Sequence, residues 1–421
     1  MANHKLKHAA VAALLISGVA LAGIYTHKPY ATDVSKNNNP AFPSEAMAVK
    51  NPPADSLQPI TNTAARKVQV VFALDATGSM SGLIGTAKEK IWSIASSFTQ
   101  ADTNTIVEMG LVFYRDLGDQ FVTKQIKLSA DLDDVYEKLM SINADGGGDS
   151  PESVNQGLYE AVTKMDWQND TTTYKTIFLV GDCPPHMDYA NDIKYPKSCE
   201  LARQKDIVLN TILMGNNAEA RLIWKEIANC SQGEFMQVDM SANNLVVSTP
   251  YDDSIAKLSL NMDMTRMYYG SVENVQKSIS KKTQSMNFMS ASDVSTAARR
   301  AEYNITTTSG NTSYYGTQEL INDYKTGKVD VTKIETAKLP AEVAKLSVEQ
   351  RKVYLDKMVA RRDSIDKEMK KLVEKRKTYI ESELKKKNKS EVDNSIDNQI
   401  YENVKKQAAK KSLILKGKAK Y

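Results

Sequence analysis

The chain has 421 residues, 41% of them hydrophobic, 25% charged and 7% aromatic, with a formal net charge of +4. Such a length exceeds one ordinary core, so two or more structural units are expected. A balance this mild argues against nucleic-acid binding by the chain as a whole.

The N-terminus reads as an export signal. Lys5, Lys7 and His8 precede an apolar run from Ala9 to about Ile24, and Ala20-Leu21-Ala22 offers a small-residue cleavage site before Gly23. The run is short for a membrane span, and no cysteine follows it to carry a lipid. Residues 1–25 are therefore expected to be a cleaved signal peptide, with an uncleaved N-terminal anchor as the alternative. The expected location is exported: periplasmic or cell-surface, or held in the inner membrane if the anchor stays. No later segment is apolar enough to cross a bilayer. Residues 26–65, with Asn37-Asn38-Asn39-Pro40, Pro43 and Pro52-Pro53, read as a flexible linker.

From Lys67 the pattern changes. Val68 to Leu74 is a nearly continuous apolar run ending at Asp75, which suits a strand buried on both faces. A Gly/Ser-rich turn follows, then Ile84, Ala87, Ile91, Ile94 and Phe98 at helical spacing. Val107–Tyr114 is a strand, and Phe121–Leu128 alternates like an edge strand. Val154–Met165 reads as a helix, Thr176–Val180 as a buried strand running into Gly181-Asp182, and Ile207–Met214 as another. Ala218–Ala228 is helical and Glu234–Val238 a last strand. Strand-helix alternation of this kind predicts an α/β fold, a doubly wound and mostly parallel sheet over residues 66–262. Ligands in such sheets bind at the carboxyl ends of the strands, where Asp75 and Asp182 stand.

Residues 263–345 show little periodicity, Asn304–Gly316 least of all, and are expected to connect the halves without clear order. Residues 346–421 read as a basic helical region. Within it, Tyr354, Met358, Ile365, Met369, Leu372, Tyr379 and Leu384 fall at spacings suited to a long helix, a helical hairpin or a coiled coil.

Asp75-Ala76-Thr77-Gly78-Ser79 places one carboxylate and two hydroxyls at alternate positions of a turn. A hard divalent cation takes such oxygens, Mg²⁺ at about 2.1 Å in an octahedron. Two further loops can meet this one. Asp145-Gly146-Gly147-Gly148-Asp149-Ser150-Pro151-Glu152 is a glycine-rich acidic loop before a helix, and Gly181-Asp182-Cys183-Pro184-Pro185-His186 follows a strand. Asp149 and Asp182 are the natural additional ligands.

The strand, the Asp-x-Thr-x-Ser turn, the amphipathic helix and the later strand ending in Asp182 resemble a von Willebrand factor type A domain. In particular they are similar to exported prokaryotic members with Gly-Gly-Gly-Asp-x-Pro-Glu and Gly-Asp-x-Pro-Pro-His segments. The resemblance covers about residues 66–262. It implies that Asp75, Thr77 and Ser79 form a metal-ion-dependent adhesion site with Asp182, holding Mg²⁺ or another divalent cation such as Mn²⁺ or Ca²⁺. It also implies a protein partner that completes the coordination through an acidic residue, and adhesion or scaffolding rather than catalysis. Where many members carry threonine in the second loop, this chain has Asp149. The added negative charge could change the metal preference or weaken the hold on an acidic partner.

Rival readings follow from other residues. A hydrolase would need His186 as base with Ser79 or Ser150 as nucleophile; a structural or supporting role suits that histidine better. No His-Glu-x-x-His zinc motif or phosphate-binding loop is present, and Asp149 would repel phosphate. Trp92, Trp167 and Trp224 read as packing residues. Cys183 and Cys199 flank one loop and could pair, against three reduced thiols including Cys230. The tail lysines Lys405, Lys406, Lys410, Lys411, Lys416, Lys418 and Lys420 suit a solvated helix face or contact with anionic lipid. A third reading makes the C-terminal helices the working part.

Overall fold

The structure is a computed structural model, described here for residues 66–99, 105–148, 150–238 and 245–421. The expected signal or anchor and most of the linker lie outside the described residues. The described residues form one compact unit.

Six strands build the sheet: β1 (Lys67–Asp75), β2 (Ile106–Tyr114), β3 (Thr123–Ser129), β4 (Tyr174–Gly181), β5 (Ile207–Met214) and β6 (Phe235–Val238). Their order is β3-β2-β1-β4-β5-β6. All pairs are parallel except β2–β3. The expected edge strand is β3, at one end of the order, where Ile126 is buried while Lys124 and Lys127 are exposed. The central strands are buried throughout, hence their unbroken apolar runs.

Seven helices belong to the sheet-bearing part or follow it directly: α1 (Ser81–Phe98), α2 (Leu132–Met140), α3 (Val154–Thr163), α4 (Tyr195–Gln204), α5 (Ala218–Asn229), α6 (Asp252–Thr265) and α7 (Val272–Ala291). One sheet face carries Val71, Ala73, Val112, Ile177 and Leu179 against residues of α3, α4 and α5, with Trp224 fully enclosed. The other carries Val68, Val70, Phe72 and Leu74 against α1 and α2, where Trp92 is buried. Both tryptophans are therefore core residues, and the partly buried Trp167 packs against the cluster that holds Trp224, its Nε1 donating to the Ala161 carbonyl at 2.9 Å.

Residues 263–345, expected to lack clear order, are largely helical: after α7 come α8 (Val294–Thr306), α9 (Thr308–Tyr315), α10 (Leu320–Lys325) and α11 (Ala341–Ala344). Ala298 and Ala301 of α8, Leu320 and Ile321 of α10 and Val343 of α11 are buried in two apolar clusters shared with α12 (Val348–Lys386), and caps and ion pairs add to that packing. Arg300 of α8 donates through Nε and Nη2 to the two oxygens of Asp133 on α2, both at 2.7 Å. Burial alone would raise the Asp133 carboxyl; Arg300 prevails and holds it well below its ordinary range.

The C-terminal region comprises α12 (Val348–Lys386), α13 (Lys389–Asp393) and α14 (Ile396–Ala409). The expected long helix is present as α12, opened by a Ser347/Gln350 capping box. Its buried stripe, Arg351, Leu355, Met358, Arg362, Met369, Val373, Arg376 and Ile380, has heptad spacing. Yet α12 packs on α6, α8 and α10 in turn, and three arginines sit in the stripe. A coiled coil is therefore not what forms. Arg362 instead grips Glu319 through Nη1 and Nη2 at 2.8 and 2.6 Å.

α14 and the segment after it close over the face that carries α1. Ile400, Tyr401, Val404, Ala408, Leu413, Leu415 and Tyr421 all join that core. The basic tail is folded onto the protein: Lys420 pairs with Glu302 at 2.9 Å and Lys411 with Asp206. Cys199 on α4 bonds Cys230 just after α5, and Cys183 is the free thiol, so the pairing of Cys183 with Cys199 is replaced. Those two flank one loop in sequence, but α4 carries Cys199 to its partner beside α5. Among the described residues, no helix is long and apolar enough to cross a membrane.

Candidate metal centre

Three loops converge where β1 and β4 end. Asp75 closes β1 and is fully buried. Its Oδ1 accepts from the Thr77 backbone N–H at 2.9 Å and from Thr77 Oγ1 at 2.6 Å, the side-chain-to-backbone turn that a short carboxylate favours. Thr77 Oγ1 lies 3.3 Å from Ser79 Oγ, and Ser79 is exposed. The three first-loop residues thus share one place, with the outermost hydroxyl facing solvent.

Asp182 follows β4. Its Oδ1 and the Oδ2 of Asp75 are buried without a hydrogen-bond partner among the described residues. Gly181 makes this approach feasible: a Cβ there would stand 3.1 Å from Asp75 Oδ2 and 2.3 Å from Tyr114 Oη. Tyr114 floors the centre and donates to the Val180 carbonyl at 3.1 Å. Trp224 Nε1 donates to the Cys183 carbonyl at 3.1 Å, tying α5 to this third loop.

The second loop is laced to the first. Asp145 N–H donates to the Ala76 carbonyl, and Gly78 N–H to the Gly146 carbonyl, both at 3.0 Å. Arg115 Nε donates to the same Ala76 carbonyl at 3.0 Å, and its Nη2 to the Asn143 carbonyl at 2.7 Å. Gly147 has φ +70°, and a Cβ on it would fall 2.7 Å from Thr77 Cβ and 2.9 Å from Glu152 Oε1; only glycine fits. Asp149, an expected ligand, lies outside the described residues.

Glu152 was not among the expected ligands. Its backbone bridges the second and third loops, N–H donating to the Pro184 carbonyl at 3.0 Å and C=O accepting from His186 N–H at 3.1 Å. Its side chain is buried, with Oε2 unpartnered. No spacing rule flags it, because its place depends on two loops folding together; the available signal was a glutamate within the glycine-rich acidic loop.

Electrostatics report crowding of negative charge. Burial, opposed by the two Thr77 hydrogen bonds and reinforced by Asp182, pushes the Asp75 carboxyl up to about 7. Burial, then the charges of Asp75, Asp116, Asp182 and Asp119, pushes Glu152 up to about 8. Burial pushes the Cys183 thiol up to about 12.

His186 is a fixture of the neighbouring wall. Its Nδ1 lies 2.9 Å from Asp188 Oδ1 and its Nε2 3.5 Å from Asp116 Oδ2. Its ring stacks on Tyr189 with centroids 3.8 Å apart. Asp116 is itself held by Ser153 Oγ at 2.9 Å and Tyr189 Oη at 2.8 Å. The imidazole therefore faces carboxylates, not Ser79 or Ser150.

These donors are all hard oxygens, and orphaned buried carboxylate oxygens are what a divalent cation would satisfy. Among the described residues, no three His, Cys, Asp or Glu side chains form a metal cage by themselves. The residues fit a cation held jointly by Asp75, Thr77, Ser79 and Asp182.

The family model described as the von Willebrand factor A domain matches residues 69–249. A putative ariadne-like RING finger protein of Acanthamoeba polyphaga mimivirus is 21% identical over 198 residues, 43% of this chain and 19% of that protein. The chain thus spans under a fifth of that relative. Among solved structures, the pilus adhesin SpaC from Lactobacillus rhamnosus GG is 14% identical over 42% of this chain and 28% of its own, with a TM-score of 0.33. The SpRpn10 VWA domain is 10% identical over 42% of this chain and 90% of its own, with a TM-score of 0.32. Proximal thread matrix protein 1 from the mussel byssus, with a zinc-occupied MIDAS motif, is 16% identical over 41% of each chain, with a TM-score of 0.31.

Proposed function

We propose, from the premise that residues 69–249 are a von Willebrand factor A domain, that this chain holds a divalent cation and uses it to grip a protein partner. One observation carries the reading. Asp75 Oδ2 and Asp182 Oδ1 are buried without partners beside the Thr77 and Ser79 hydroxyls. Asp75, Thr77, Ser79 and Asp182 would hold the ion, Mg²⁺, Mn²⁺ or Ca²⁺, and the solvent-facing side at Ser79 would receive an oxygen of the partner. An acidic side chain is the donor that the family resemblance implies.

The role is binding, not catalysis. What supports this is His186, wedged between Asp116, Asp188 and Tyr189 where a nucleophile would have to be. The proposal includes export, since an oxidising compartment suits the Cys199–Cys230 disulfide.

Calorimetric titration of Mg²⁺ or Mn²⁺ into the full chain tests the reading, with Asp75→Ala as control. Saturable heat from the wild type and none from the variant is expected. Identical heats would overturn it.

A further inference from the structure

The end of the sheet opposite the metal centre is basic. β1 spans nine residues between the two ends, which puts them about 30 Å apart. A cleft of about 480 Å³ opens there among Lys175, Arg203, Asp206, Lys410 and Lys411. Lys175 is buried, its Nζ donating to the Gln168 and Asp170 carbonyls at 3.1 and 3.3 Å. Arg203 Nη1 donates to the Cys230 carbonyl at 3.1 Å. Asp206, the acid of this wall, is taken by Lys411. Among the described residues, no carboxylate pairs with Lys175, Arg203 or Lys410. Helix C-termini attract cations, and α4, α5 and α14 all end at this cleft. Three such ends supply roughly 1.5 negative charges and Asp206 one more, so the four cations stay in excess. The basic surface continues outside the cleft, with exposed Lys406 on α14 one turn before Lys410, and Arg66 donating to the Ser412 carbonyl. Ile414 stands 62% exposed between buried Leu413 and Leu415.

We propose that this end docks on an anionic membrane surface, with a lipid phosphate seated in the cleft and Ile414 inserted among the headgroups. Charge complementarity carries the choice of occupant. Lysines near a membrane are drawn by its negative surface potential, and an apolar side chain among them adds insertion. A free anion would use the cleft and leave Lys406 and Ile414 without a role. The chain path agrees with this orientation: residues 1–65, which include the apolar run of residues 9–24, join the fold at Arg66 on this same end. Docked so, the protein directs the Asp75–Ser79 loop away from the lipid, where a partner can reach it. The docking does not depend on a cation in that loop.

The test is co-sedimentation of the full chain with vesicles of phosphatidylcholine, alone or mixed with phosphatidylglycerol. Neutral vesicles read any binding through residues 9–24, and the gain on anionic vesicles reads this face. Wild type should bind the anionic vesicles more tightly, and added salt should remove the gain. Lys410→Ala should weaken binding to them about fivefold, the usual effect of one lysine near the surface. Ile414→Ser should weaken it about tenfold. Both side chains are exposed, so both variants should keep the wild-type melting temperature. Lys333→Ala, an equal change of charge among the helices of 263–345, should match wild type. Equal binding to both kinds of vesicle would overturn the proposal. So would a Lys333→Ala loss as large as that of Lys410→Ala, which would reduce the effect to net charge. Saturable heat from inorganic phosphate with no gain on anionic vesicles would make the cleft a site for a free anion and overturn the membrane assignment.

Discussion

Lys90 on α1 and Asp397 on α14, 307 residues apart, form a fully buried ion pair at 2.8 Å. Lys90 Nζ also donates to the Leu245 carbonyl at 2.8 Å. Burial lowers the lysine, and Asp397 opposes that shift. The contact binds the helix that follows the Asp75–Ser79 turn to the last helix of the chain.

Removing one partner leaves a charge buried alone. Asp397→Ala should destabilise the protein by roughly 3–5 kcal/mol, whereas Lys90→Met with Asp397→Leu should cost far less or nothing. Urea unfolding of the three proteins decides it. Equal losses from the single and double changes would contradict the account.

Deleting residues 395–421 should do worse. It strips Ile400, Tyr401, Val404, Leu413 and Tyr421 from the core that covers β1. The expected product binds a hydrophobic dye and lacks a cooperative melt. A truncated chain that melts like the parent would show this region to be an appendage.

The Cys199–Cys230 bond closes a loop of sequence separation 31. By chain entropy, such a loop stabilises by about 3–4 kcal/mol. Cys199→Ala with Cys230→Ala should lower stability on that scale, measured by denaturant unfolding, and reductant should mimic the change in the wild type. A reductant-insensitive wild type would contradict the pairing.

Stability of the metal-free protein should fall with rising pH. Asp75 moves from an ordinary 3.8 to about 7 and Glu152 from 4.5 to about 8. Between those values each binds more protons folded than unfolded, so raising the pH removes stability across the window from about 4 to 8. In chelator the melting temperature should be higher at the acid end than near neutrality, and Asp75→Asn should flatten that slope. Saturating Mn²⁺ should reverse it, because the cation favours the ionised carboxylates. A slope unchanged by Asp75→Asn would contradict the burial of these groups.

Much of the sheet was legible in the residues. β1, β2, β4 and β5 are covered on both faces, so their apolar runs announce them, and each ends close to where the runs end. α2 and α4 were not legible: one is nine residues long, and the other is a polar stretch begun by Tyr195-Pro196. The helices of 263–345 escaped because several are short and their few buried apolar residues, such as Leu320, Ile321 and Val343, are completed by α12 far along the chain, with charge holding the rest. Arg300 is enclosed, and α9, Thr308–Tyr315, has no apolar period to read. At the metal centre, Asp75, Thr77 and Ser79 were visible because one turn carries them. Glu152 was not, because its carboxylate is placed by contact between loops far apart in sequence.

Anomalous diffraction from crystals equilibrated with Mn²⁺ tests the central claim most directly. A single strong peak bounded by oxygens of Asp75, Thr77, Ser79 and Asp182, lost in Asp75→Ala, is the predicted result. No peak there in the wild type, with Asp75 bonded only to Thr77 and Asp182 turned away, would contradict it.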